Sequence, residues 1–216
     1  MRFVLFDVDG TLVDSQAHIV GSMTEAFRSL DLPAPTRAQT LSIVGLSLPQ
    51  AMATLAPGGP MEALVEAYKQ SYQDLRASHG EAQGSPLYAG IRQLLHGLHA
   101  EPETLLGVAT GKSKRGLDHV METHDLAGFF ITRQDADGHP SKPHPSMALA
   151  ALGEAGLETG VMVGDTTFDM EMGRAAGMAT VAVTWGYHSP ERLAPLADRV
   201  VSDMAALRQA IDEVSP

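Results

Sequence analysis

The chain has 216 residues and a mass of 22.9 kDa, enough for one full core with a small inserted module. Its formal net charge of −11 excludes a non-specific nucleic-acid binder, because a phosphate backbone rewards a surplus of Lys and Arg that is missing here. With no cysteine, a disulfide framework and a thiolate mechanism are excluded as well.

Residues 3–11, FVLFDVDGT, read as a short buried strand whose apolar run breaks at Gly10. Asp7 and Asp9 arrive at that break. Buried strands do not normally end in acids unless something pairs with them. Two carboxylates at a strand's C-terminal end, held by a glycine turn, suit a hard cation such as Mg2+ and leave an oxygen to attack a substrate. The bland alternative is a strand that exits into a solvated Asp-Gly turn. The N-terminus carries no leader pattern, and no stretch reaches the roughly 18 apolar residues of a bilayer span. The expectation is a cytoplasmic protein without membrane or nucleic-acid partners.

After Asp14 the pattern turns helical. Val20, Met23, Phe27 and Leu30 recur at helical spacing, with Ser15 as the cap and a stop before Pro33 and Pro35. Short helices are predicted over 37–43 and 48–55, then a turn at Pro57-Gly58-Gly59-Pro60, then a long helix over 61–78. Its stripe of Leu64, Ala67, Tyr68, Tyr72 and Leu75 reads as helix-bundle core. Residues 84–90, GSPLYAG, read as a return linker.

From Gly90 onward strands and helices alternate. Helices are predicted over 91–98, 113–123, 145–155, 170–176 and 204–214, and strands over 105–109, 129–132, 161–163 and 180–184. Short apolar strands between helices of about ten residues imply βαβ units and a mostly parallel sheet with helices on both faces. The strand near Val4 belongs to that sheet, yet its successor is no ordinary crossover. A helical cap over 15–83, inserted into an α/β core of 1–14 and 84–216, accounts for both.

In an open parallel sheet, ligands gather at the C-terminal ends of the strands. That rule collects Asp7 and Asp9, then Thr110 and Gly111 after the strand at 105–109, then Gly164 and Asp165 with Asp169 four residues on. Lys142, in SKPHP just before a helix, joins them. Thr110 and the amides after it suit a phosphoryl oxygen, since a helix start offers unsatisfied N–H groups. Lys142 is suited to neutralise phosphate and crowded carboxylates as a point charge, and Asp165 to complete a Mg2+ shell. Taken singly, Thr110 reads equally as an N-cap, Lys142 as a solvated loop charge and GDTTFD as a capped helix start.

Four motifs in this order resemble the haloacid-dehalogenase-like hydrolase superfamily, in its phosphoglycolate-phosphatase-like branch with a small helical cap. They are Asp7-Val8-Asp9-Gly10-Thr11, the strand ending in Thr110-Gly111, Lys142 in KPHP, and Gly164-Asp165-Thr166-Thr167-Phe168-Asp169. The resemblance spans roughly 1–14 and 84–210, and Val44-Gly45-Leu46-Ser47-Leu48-Pro49 resembles the segment that this branch closes over its site. It implies that Asp7 is the nucleophile and that Asp9 protonates the leaving alcohol and then activates water. It also implies that Asp7, Asp165 and the main-chain carbonyl of Asp9 hold Mg2+, with Asp169 and Gly164 in support. Gly10, Thr11, Thr110, Gly111 and Lys142 would hold the phosphate of a small phosphorylated metabolite. Inorganic pyrophosphatase, sugar-phosphate mutase and a non-catalytic interaction protein are the alternatives, and the oligomeric state is left open.

Competing signals are weaker. ATGKS at 109–113 resembles the end of a P-loop, but position 106, where that motif needs its first glycine, is Leu. His139 and His144 lack the further ligands of a zinc site. Lys112 is expected to reach a phosphate or face solvent. Trp185-Gly186-Tyr187-His188 is expected either to line the site rim or to pack a helix, and Arg28, Arg37 and Lys69 are the cap's candidates for substrate contact.

Overall fold

Alternation along the strands sets the layers. In the computed structural model, which describes residues 1–79 and 85–215, strand β1 (Arg2–Phe6) sends Val4 and Phe6 into one apolar cluster and Phe3 and Leu5 into another. The first cluster is completed by α5 (Ile91–His99), α6 (Lys114–Thr123) and α10 (Met204–Val214); the second by α7 (Ser146–Ala155) and α8 (Thr167–Ala175). Helices therefore cover both faces of the sheet, as the near-continuous apolar strands require.

The sheet has six parallel strands in the order β3-β2-β1-β4-β5-β6. Besides β1 these are β2 (Thr104–Ala109), β3 (Thr132–Gln134), β4 (Val161–Gly164), β5 (Ala179–Val183) and β6 (Arg199–Val201). The chain builds outward from β1 on one side and then crosses to the other. This puts the carboxyl end of β1 at the switch point where ligands bind in such sheets.

Two departures from the expected elements have simple causes. The strand expected over 129–132 starts at Thr132, because Ala127–Phe129 form a 3-10 turn that seats Phe129 in the core. Strand β6 and the short helix α9 (Pro190–Leu193) were not expected. Three residues at a sheet edge, two of them exposed, show no period to detect.

Between Asp14 and residue 79 the described chain is helical: α1 (Gln16–Arg28), α2 (Arg37–Leu41), α3 (Leu48–Leu55) and α4 (Met61–His79). Met23, Phe27, Ile43, Ala51, Met52 and Leu64 form a separate apolar cluster there. The chain leaving the core pairs with the chain returning to it, Val13 bridging Leu87 in antiparallel sense, with Asp14 N–H donating to Pro86 O at 2.8 Å and Tyr88 N–H to Leu12 O at 3.0 Å. The expected boundary at 83–84 lies outside the described residues. Among those described, no helix is long and apolar enough to cross a membrane.

Candidate active site

Two strand ends, a loop and a helix start deliver four ionisable groups to one buried point. Lys142 Nζ lies 2.6 Å from Asp7 Oδ1 and 2.6 Å from Asp169 Oδ1, and is 1 % exposed, so it is not a solvated loop charge. Asp169 also accepts at Oδ2 from the backbone N–H and hydroxyl of Thr166, at 3.0 and 2.7 Å, in a capping box that opens α8. GDTTFD is thus a capped helix start, and the carboxylate that caps the helix also anchors the lysine. Asp165 accepts from the Thr11 hydroxyl at 3.0 Å and the Tyr187 N–H at 2.8 Å. Asp7 Oδ2 has no hydrogen-bond partner among the described residues, although it is buried.

Oxygens of Asp7, Asp165 and Asp169 lie within 4.8 Å of one another. Three buried carboxylates face one ammonium, so the group is short of positive charge by two units. Burial pushes the Asp7 carboxyl up to about 7; Lys142 works against this, and Asp169 and Asp9 add to it. Burial raises Asp165 in the same way, with Asp7 and Asp169 reinforcing it. Burial pulls Lys142 down, but Asp169 and Asp7 outweigh it and hold the ammonium above the ordinary lysine range. A divalent cation fits this donor set on chemical grounds: the donors are hard oxygens, the charge deficit is two, and Asp7 Oδ2 lacks a partner.

Asp9 belongs to a second network. Its Oδ1 accepts from the Ser15 hydroxyl at 2.5 Å and lies 3.0 Å from Lys112 Nζ. Lys112 is therefore not at solvent; it pairs with Asp9 beneath the Tyr72 ring, 5.3 Å from its centroid. Ser15 stands at the N-cap of α1 as expected, but its side chain does not cap the helix.

The donors expected at a phosphate divide into two groups. The Gly10 N–H is taken by Val13 O at 2.9 Å and the Thr11 hydroxyl by Asp165, so these groups hold the acids in place. A Cβ on Gly10, which has φ +92°, would come within 2.2 Å of Asp165. Thr110 is not the cap of α6, which is Ser113. It accepts the Lys112 N–H at 3.2 Å, leaving its own proton to donate, and with Gly111 it lines a cavity of about 510 Å³ that reaches Asp7 and Asp9.

The helices close the other side of that cavity. Val44 to Pro49 line it, and a Cβ on Gly111 would meet the carbonyl oxygens of Leu46 and Gly45 at 2.5 and 2.6 Å. Ser47 N–H donates to Ser141 Oγ at 2.8 Å, beside Lys142 in sequence.

Residues 4–183 match the haloacid dehalogenase-like hydrolase family. The chain belongs to that family. Over 205 residues it is 34 % identical to the probable phosphatase IndB of Dickeya dadantii, covering 93 % of this chain and 88 % of that one. It is 28 % identical to the phosphoglycolate phosphatase of Vibrio vulnificus, covering 99 % and 96 %. A hydrolase from Pseudomonas syringae has the same fold, with a TM-score of 0.86, 23 % identity and full coverage of both chains.

Beyond the four motifs of this family resemblance, the structure adds residues that the sequence reading passed over or left undecided. Tyr68 and Tyr72, read as bundle core, line the cavity, because the face of α4 that packs on α1 also runs past the loop after β2. Of the cationic candidates among the helices, Lys69 lines the cavity and Arg28 and Arg37 do not; Arg76 and Arg115 line it too. Trp185 packs on the main core cluster and donates to Thr11 O at 3.2 Å, and Tyr187 reaches Asp165 and Ser15, so the WGYH stretch lies behind the acids rather than in the cavity lining. Both ring nitrogens of His139 are occupied, by Ser146 Oγ and Gln134 Oε1 at 2.8 Å each.

Proposed function

We propose that the chain is a cytoplasmic, Mg2+-dependent phosphatase that hydrolyses a small organic phosphomonoester such as 2-phosphoglycolate through an aspartyl-phosphate on Asp7. The observation that carries this reading is the buried, unpartnered Asp7 Oδ2 at the cavity end of a charge-deficient cluster. The phosphatase names of the relatives support it. In the first step a carboxylate oxygen of Asp7 forms the bond to phosphorus, the bond from phosphorus to the leaving oxygen breaks, and Asp9 gives that oxygen a proton. In the second step Asp9 takes a proton from water, the water oxygen bonds to phosphorus, and Asp7 leaves as carboxylate with release of phosphate.

Asp7, Asp165 and the main-chain carbonyl of Asp9 would hold the cation; when bound, it supplies charge neutralisation for the phosphoryl oxygens. Lys142, Thr110 and the Gly111 amide hold those oxygens from the other side. Thr11, Gly10, Gly164 and Asp169 keep the acids and the lysine in place. In this reading residues 15–83 form a cap on a core of 1–14 and 84–216, excluding bulk water and inspecting the leaving group.

The test is phosphate release across a panel of phosphorylated metabolites, pyrophosphate and a hexose 1-phosphate, with and without Mg2+, with Asp7→Asn as control. A strong Mg2+-dependent organic ester is the expected result. Preference for pyrophosphate, or conversion of the hexose 1-phosphate to its isomer, would replace this reading with a pyrophosphatase or a mutase.

A further inference from the structure

Tyr187 touches both ends of the acid machinery. Its backbone N–H donates to Asp165 Oδ2 at 2.8 Å, and its hydroxyl lies 3.1 Å from both the backbone N and the Oγ of Ser15. The direction of each bond follows from proton counting. The Ser15 hydroxyl has one proton, and Asp9 Oδ1 takes it at 2.5 Å. The contact between Ser15 Oγ and Tyr187 is therefore donated by the tyrosine, whose oxygen in turn accepts the Ser15 N–H. The result is a directed chain from Ser15 N–H to Tyr187 O–H to Ser15 O–H to Asp9, in which each bond polarises the next.

Local geometry indicates that this chain is built for Asp9 rather than for the helix. Ser15 stands at the N-cap of α1, where its side chain would ordinarily bind a first-turn N–H; it makes no such bond. Gly186 lets the loop press on Asp165, since a Cβ there would come within 2.2 Å of Oδ2. The Tyr187 ring is then seated against Ile19, Leu41 and Val44 of the helical segment. Both contacts on Asp9, from Ser15 and Lys112, fall on Oδ1, which leaves Oδ2 as the oxygen available for a proton.

We propose that Tyr187 is a positioning residue for proton transfer: through Ser15 it fixes the Asp9 carboxylate so that Oδ2 faces the leaving oxygen. The proposal rests on the phosphatase reading with Asp9 as acid and base.

The test compares Tyr187→Phe, which removes one oxygen and keeps the packed ring, with wild type on two esters. The value of kcat/KM reports steps up to departure of the leaving group. For an alkyl phosphate, whose leaving oxygen needs a proton, it should fall about tenfold, carried by kcat with KM within about twofold. For p-nitrophenyl phosphate, whose leaving group needs none, it should stay within about twofold. Ser15→Ala should behave alike, and the double variant should be no worse than either single one. A crystal structure of Tyr187→Phe with Mg2+ should show Asp9 rotated away from its wild-type position. Equal losses on the two esters, additive losses in the double variant, or an unmoved Asp9 would each overturn the proposal. Failure of the wild-type enzyme on both esters would instead remove the phosphatase reading on which it rests.

Discussion

The carboxyl edge of the sheet and the helical segment 15–79 bury opposite kinds of group. At the sheet edge Asp7, Lys142, Asp165 and Asp169 are almost wholly removed from water. Among the described residues of the helical segment no charged side chain is buried; Met23, Phe27, Met52 and Leu64 fill its interior, and Lys69 is exposed. Buried charge is costly unless it is paired and hydrogen-bonded, and the pairing around Lys142 still leaves two negative charges over. The sheet edge therefore retains a site at the expense of stability, while the helices are an ordinary small core that supplies shape.

The contrast is sharpest at Asp7. Asp7→Asn should lower turnover on the order of 10³-fold or more while the protein stays folded, as phosphate release and circular dichroism would show. A folded variant with most of its activity would move the nucleophile elsewhere. Next in size, Lys142→Met leaves Asp7 and Asp169 without their ammonium and should cost about 3–5 kcal/mol in urea unfolding. Lys69→Met on the helices should change stability by no more than about 0.5 kcal/mol; similar costs at the two lysines would erase the distinction. Gly111→Ala drives a methyl into the Gly45 and Leu46 carbonyls, so about 1–3 kcal/mol of strain is expected, with a raised KM as the helices shift from the cavity. An unchanged KM would show that this contact does not shape the site.

The contrast also predicts a pH dependence. Asp7 binds its proton more tightly in the folded chain than its ordinary value of 3.8 would give, up to about 7, and Asp165 shifts the same way. The folded state then holds more protons than the unfolded state between those values. The contribution of Asp7 to stability is complete below about pH 4 and is lost as pH rises through about 7 in metal-free protein, and that of Asp165 is lost in the same direction. Mg2+ should raise the melting temperature by a few degrees, and by more at pH 8 than at pH 5. An equal shift at both pH values would separate the cation from these carboxylates.

How far the sequence could be read follows from the same contrast. Asp7 and Asp165 are legible because acids at the ends of apolar runs break the pattern around them and the strand-end rule brings them together, while Asp169 follows four residues on and Lys142 stands just before a helix in SKPHP. The network on Asp9 was not legible. Ser15 and Tyr187 are 172 positions apart, and a serine before a helix already has a sufficient local explanation as a cap. Tyr68 and Tyr72 were hidden for a related reason: a helical stripe records that a face is covered, whether by another helix or by the wall of a cavity. The pairing of Lys112 with Asp9 was not legible either, because nothing local indicates it.

The joint at Gly111 is made on the helical side by the carbonyl oxygens of Gly45 and Leu46. A carbonyl is the same whatever side chain hangs beside it. Leu46 can therefore be exchanged without altering what the loop after β2 feels, provided the turn keeps its course, and Gly45 at φ +101° is what keeps it. In the proposed reading, the cavity-lining side chains of the helices can change composition around that fixed backbone contact while the acids at the strand ends stay as they are.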